Sequence, residues 1–94
     1  MVEDSIRDYE GRRVRLIQER REHIARHHGI DVSVDEIRAV LESPGLVVES
    51  PIDPEARLYY RLHERGRFEG KLTCVVVVVS GDDAFVATAM ERTP

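Results

Sequence analysis

Apolar and polar positions change period along this chain, and each change marks an element. From Arg12 to Ile17 charged and aliphatic residues alternate, the period-two pattern of a short half-buried strand. From about Gln18 the spacing turns helical and runs to His28, where Gly29 supplies a C-terminal stop. On that helix Ile17, Ile24, Ala25 and His28 share one stripe, with Arg20, His23 and His27 on the adjacent flank. A second helix is expected after Ser33-Val34-Asp35-Glu36, a capping box whose Ser33 hydroxyl and Glu36 carboxylate satisfy free amides of the first turn. Val34, Ile37, Val40 and Leu41 follow at helical spacing, and Ser43-Pro44-Gly45 ends the element.

The second half of the chain reads as strands. Leu46 to Ser50 is short and rich in β-branched residues, and Pro51-Ile52-Asp53-Pro54 is a turn. Ala56 to His63 alternates, with Arg57, Tyr59, Arg61 and His63 on one face, the expected wet side, and Leu58, Tyr60 and Leu62 on the other. Lys71 to Ser80 holds unbroken valines, which imply burial on both faces or nearly so. Gly81-Asp82-Asp83 turns into a last strand from Ala84 to Met90, in which Val86, Thr88 and Met90 fall on one row. The expected fold class is α+β, two N-terminal helices packed on one face of a four-stranded antiparallel sheet. At 94 residues this is one domain, residues 1–94, with residues 1–11 read as a polar, frayed N-terminal segment.

Composition narrows the function classes. Aromatic residues make up 5% of the chain and Trp is absent, so a rich base-stacking platform of the RNA-recognition or OB type is not expected. Cys74 is the single cysteine and lies within an apolar run, which excludes an internal disulfide and a CxxC metal knuckle and fits a reducing compartment. Met1-Val2-Glu3-Asp4 has neither a basic start nor a following apolar stretch, and Val75 to Val79 is too short to span a bilayer, so a cytoplasmic protein without a membrane anchor is expected. The net charge of -4 opposes non-specific nucleic-acid binding. That average hides an asymmetry: Asp31 to Pro54 carries six acids against one base, Glu55 to Leu72 five bases against three acids.

Three of the four histidines lie between Glu19 and His28. His23 and His27 sit at i, i+4, within reach of one metal ion, but no third ligand is identifiable and no Glu follows His23 in the metalloprotease order. No metal and no cofactor are therefore expected, and the alternative is a helix flank whose histidines are stabilised near the C-terminus. Arg57 and Arg61, with Tyr59 beside them, could hold a phosphate between guanidinium forks.

The order of these pieces carries a resemblance. The string Glu19-Arg20-Arg21-Glu22-His23-Ile24 is followed by Arg26-His27, a capped helix ending Leu41-Glu42-Ser43-Pro44, Leu58-Tyr59-Tyr60-Arg61, a valine-rich strand and Phe85-Val86-Ala87-Thr88-Ala89. Over residues 12 to 91 it resembles the phage-associated branch of the barnase/EndoU/colicin/RelE-like RNase superfamily and, more loosely, the BrnT toxins. The resemblance implies a metal-independent RNase of the toxin type, with His23 as the helical His, Tyr60 and Arg61 as the central-strand pair and Thr88 as the last-strand hydroxyl. Arg20, His27, Arg57 and Tyr59 would bind substrate. The chemistry would be attack of the 2'-hydroxyl on the adjacent phosphate, with His23 as acid or base and Arg61 stabilising the phosphorane charge. The implied partners are RNA, ribosome-bound or transfer RNA, and an antitoxin protein. The rival expectation is a catalytically inert module that binds a protein through its charged strand face.

Overall fold

The computed structural model describes residues 3–17, 32–66 and 69–92. Six strands form one mixed sheet: β1 (Glu3–Arg7), β2 (Arg13–Ile17), β3 (Leu46–Glu49), β4 (Ala56–Leu62), β5 (Leu72–Ser80) and β6 (Asp83–Arg92), ordered β1-β2-β6-β5-β4-β3. One described helix, α1 (Val34–Glu42), packs on it. This corrects the expected pair of helices on a four-stranded antiparallel sheet. The four strands β3 to β6 do form an antiparallel meander, but β2 joins β6 in parallel, through Arg15 opposite Phe85, and β1 extends the sheet beyond it. The sequence-predicted first helix, with Arg20, His23 and His27, lies outside the described residues. Among the described residues no helix is long and apolar enough to cross a membrane.

Residues 3–7, read from sequence as part of a polar N-terminal segment, form β1 of a hairpin with β2. Asp8 Oδ1 accepts from the backbone N–H of Glu10 and of Arg12, and Gly11 takes a positive φ of 85° at the end of a three-residue loop. A type I turn closed by a left-handed glycine is a standard hairpin connection, and Asp is suited to its first position. Ile6, Val14 and Leu16 then face inward and are fully buried.

The faces of the meander differ from the sequence reading. Cross-strand neighbours Val47–Tyr59–Val75–Ala89 form one row beneath α1, beside the row Arg61–Thr73–Glu91. Arg57, Tyr59, Arg61 and His63 therefore point to the helix side, with Tyr59 fully buried and His63 nearly so, and are not the wet side of the sheet. The polar ends of Tyr59, Arg61 and His63 are tied to Asp8, to the Ser43 carbonyl and to Thr73, which is how a polar row tolerates burial. Leu58, Tyr60 and Leu62 take the opposite, open face. The valine strand is buried by alternation: Val75 and Val77 are fully enclosed under α1, while Val76 and Val78 are half-buried on the open side.

A bulge in β6 explains one further difference. Val76 pairs with Thr88 and Val77 with Val86, which leaves Ala87 as an extra residue. Val86 and Ala89, three apart, consequently both reach the core, and Val86 does not share a row with Thr88 and Met90.

Helix α1 takes the expected Ser33 cap, whose Oγ accepts from Glu36 N–H at 3.1 Å, but the Glu36 carboxyl, expected to complete a capping box, accepts from Thr73 Oγ in the sheet instead. Ile37, Val40 and Leu41 are buried against the sheet, and Val34 packs at the edge of the same cluster. At its C-terminal end Leu41 O accepts from Tyr9 N–H at 2.8 Å, and Ser43 O accepts from Arg61 Nη1 at 2.6 Å. The hairpin turn and a strand-borne cation thus satisfy carbonyls that a helix leaves open.

Candidate functional site

The residues singled out by the RNase resemblance are divided between two faces. Tyr60 stands on the open face in the row Leu46–Tyr60–Cys74–Met90, and Thr88 stands in the next row, Val48–Leu58–Val76–Thr88. Two strand spacings, about 10 Å, separate β4 from β6. Arg61 points the other way and holds the end of α1, while Arg57 and Tyr59 share its helix-side face. Arg20, His23 and His27 lie outside the described residues.

The open face is apolar at its centre. A groove of about 270 Å³ is lined by Leu58, Tyr60, Leu72, Cys74, Val76 and Met90, with Arg92 at its end. A second hollow, of about 370 Å³, lies beside Gly45, Leu46 and Leu62 and shares Tyr60 and Leu72 with the first. Leu46 is 56% exposed, Leu62 51% and Val48 36%. Alternation along β1 and β2 puts Arg7, Arg13 and Arg15 on this same face, where Arg15 grips Asp83 through two bonds of 2.9 and 2.7 Å and lies over the ring of Phe85. The Arg15 guanidinium holds the Asp83 carboxyl below its usual range. Cys74 is a free thiol whose burial pushes its pKa up, so it is a poor nucleophile here.

On the helix side, a polar chain runs through the row Arg61–Thr73–Glu91. Thr73 Oγ donates to Glu36 Oε2 at 2.6 Å and meets His63 Nε2 at 3.1 Å. Lys71 Nζ reaches Glu91 Oε1 at 3.2 Å. Glu36, His63 and Thr73 are all buried. Burial, followed by the neighbouring Glu91, raises the Glu36 pKa to about 7, whereas the hydrogen bond from Glu36 holds Glu91 down. Desolvation lowers the His63 pKa, with Arg61 acting in the same direction. Such opposed carboxyls can exchange a proton near neutrality. Sequence reasoning missed this chain because Glu36 reads as a cap and Thr73 as one strand residue among valines. The available signal was Thr73 itself, a hydroxyl inside an otherwise apolar strand.

Among the described residues no group of His, Cys, Asp and Glu is arranged to hold a metal ion. No protein-family model matches the chain, and neither does a curated protein or a solved structure.

Proposed function

We propose that this chain is a protein-binding module whose partner covers the open face of the sheet with an apolar segment carrying acidic residues. The observation that carries this reading is the exposure of Leu46, Val48 and Leu62 around a continuous groove on a face that no described helix covers. A contiguous apolar patch of this kind, rimmed by polar residues, marks an interaction surface. Charge selects the occupant: Arg92 stands at the end of the groove, and Arg7 and Arg13 are exposed further along the same face, in a chain whose net charge is -4. An acidic, apolar segment complements both features. This changes the rival expectation in one respect, since the contact is made by the apolar face and the charged strand face is occupied by α1. The free Cys74 thiol suits a reducing, cytoplasmic setting for that encounter.

RNA cleavage is the second reading, favoured by the placing of Tyr60 and Thr88 on this same face as Arg92. One experiment separates the two. A photo-crosslinking phenylalanine analogue replaces Tyr60, with the same analogue replacing exposed Arg38 on α1 as control, and adducts formed in the producing cell are sequenced. A protein adduct from position 60 alone, attached at an apolar stretch with acidic residues and lost on Leu62→Asp, is expected. An RNA adduct, a crosslink between two copies of this chain, or no adduct would overturn the proposal. RNA adducts together with chelator-resistant cleavage of total RNA would establish the RNase reading.

A further inference from the structure

The buried polar chain has a hydrogen count that can be worked out. Thr73 has one hydroxyl hydrogen, and it points to Glu36 Oε2. The hydrogen between Thr73 Oγ and His63 therefore sits on His63 Nε2, which fixes the direction of that bond. At the other end Glu91 Oε1 is taken by Lys71, while Glu91 Oε2 is buried with no donor supplied. Glu91 is the cross-strand neighbour of Thr73, whose hydroxyl holds Glu36, so the two carboxyls flank one side chain, and a hydrogen bond between them would require a proton on one of them. Placed on Glu36, that proton gives Glu91 Oε2 the donor it lacks.

We infer that Glu36 and Glu91 share one proton as a latch between the first turn of α1 and the β5–β6 part of the sheet, and that losing this proton loosens the helix from the sheet there. The groups around the latch leave the second charge uncompensated. From β5 comes Thr73, already bonded to Glu36, and from just before it Lys71, which is 43% exposed and paired with Glu91. Following β4 comes His63, whose pKa burial lowers, and from β4 itself Arg61, committed to Ser43 O. On α1 Asp35 stands next in sequence and adds a further negative charge to the same turn. With the proton gone, two largely buried carboxylates stand on either side of Thr73, where their repulsion is less screened than in water.

The sign follows from linkage. A carboxyl whose folded pKa is raised from 4.5 to about 7 gives stability that is complete below pH 4.5, falls as pH rises, and is gone above about 7. Glu36→Gln is the discriminating variant. Its amide NH₂ can donate to Glu91 Oε2 and its oxygen can accept from Thr73, so it copies the protonated latch at every pH.

The test is urea denaturation of the purified chain and of Glu36→Gln between pH 5 and 8, with Glu91→Gln as a second variant and hydrogen exchange of the amides of α1. The ratio of the folding constants, Glu36→Gln over wild type, should rise with pH to a gain on the order of a hundredfold and level off above pH 7. Above that pH, the first-turn amides should exchange faster in wild type than in either variant. A ratio independent of pH would overturn the shared proton. A rising ratio with equal protection of α1 in all three proteins would overturn the loosening.

Discussion

The phenol of Tyr59, fully buried in β4, donates to Asp8 Oδ2 at 2.8 Å across 51 positions of sequence. This bond fastens the hairpin turn of β1 and β2 to the middle of the meander. Asp8 is engaged on its other oxygen by the backbone N–H of Glu10 and Arg12, and Tyr9 meets the Tyr59 ring edge-on with centroids 6.2 Å apart. Burial, with the Asp8 carboxylate beside it, raises the Tyr59 pKa, so the phenol remains a donor at neutral pH.

Replacing Tyr59 by Phe keeps the ring and removes that donor from a buried carboxylate. A hydrogen bond to a charged group contributes about 1.5–3 kcal/mol, and a loss of that size is expected in urea denaturation of Tyr59→Phe. Because the turn is held through Asp8, amides of residues 9–12 should also lose hydrogen-exchange protection. A variant as stable as wild type would show that the hairpin is held by its apolar face alone.

The meander was legible in the sequence because its strands alternate between turn signals, and α1 was legible because Ser33 caps a clear helical stripe. The assignment of the β4 faces was not. Arg57, Tyr59, Arg61 and His63 look like a wet row, yet the helix lands on them, since Tyr59 reaches Asp8 and Arg61 reaches Ser43 O over long sequence distances. The parallel pairing of β2 with β6 rests on a contact 70 positions apart, and the Ala87 bulge turns Val86 inward without any glycine to mark it. Tyr60 and Thr88 were singled out by resemblance and do share a face. Glu36 and Glu91 were not, because their meeting depends on where α1 docks.

Thr73 is the hub of the buried chain, donating to Glu36 and bonded to His63. Thr73→Val preserves the shape of the side chain but leaves a carboxyl oxygen and an imidazole nitrogen without their partner. Each such buried group costs about 1–3 kcal/mol. Urea denaturation at pH 6 should therefore show a loss well above that of an ordinary surface substitution. Serine in the same place should restore part of it by restoring the hydroxyl. Equal stabilities for Thr73→Val and wild type would mean that water replaces the missing bonds.

Gly81 takes a φ of 61° as the first central residue of the β5–β6 turn, and Asp82 after it does not have a positive φ, the pattern of a type II′ hairpin turn. A side chain at position 81 has open space around it, so any penalty there comes from the backbone conformation. Gly81→Ala should cost more than about 1 kcal/mol, and Gly81→Asn less, because Asn tolerates the left-handed region better. Thermal denaturation of the two variants side by side gives the order.

The two sheet faces should respond oppositely to the same kind of change. Ile37, on α1, is 1% exposed and packed in the core, so Ile37→Ala should remove about 2–5 kcal/mol of stability. Leu62, on the open face, is 51% exposed, and Leu62→Asp should change the stability of the isolated chain by no more than about 0.5 kcal/mol. With the partner present the ranking should reverse at the level of binding. Leu62→Asp adds both a desolvation cost and a negative charge against an acidic segment, whereas Leu62→Lys adds only the former and should retain more affinity. Calorimetric titration with the partner segment found by crosslinking would show this order of affinities. Equal losses for Asp and Lys at position 62 would remove charge as the selector of the occupant while leaving the apolar contact in place.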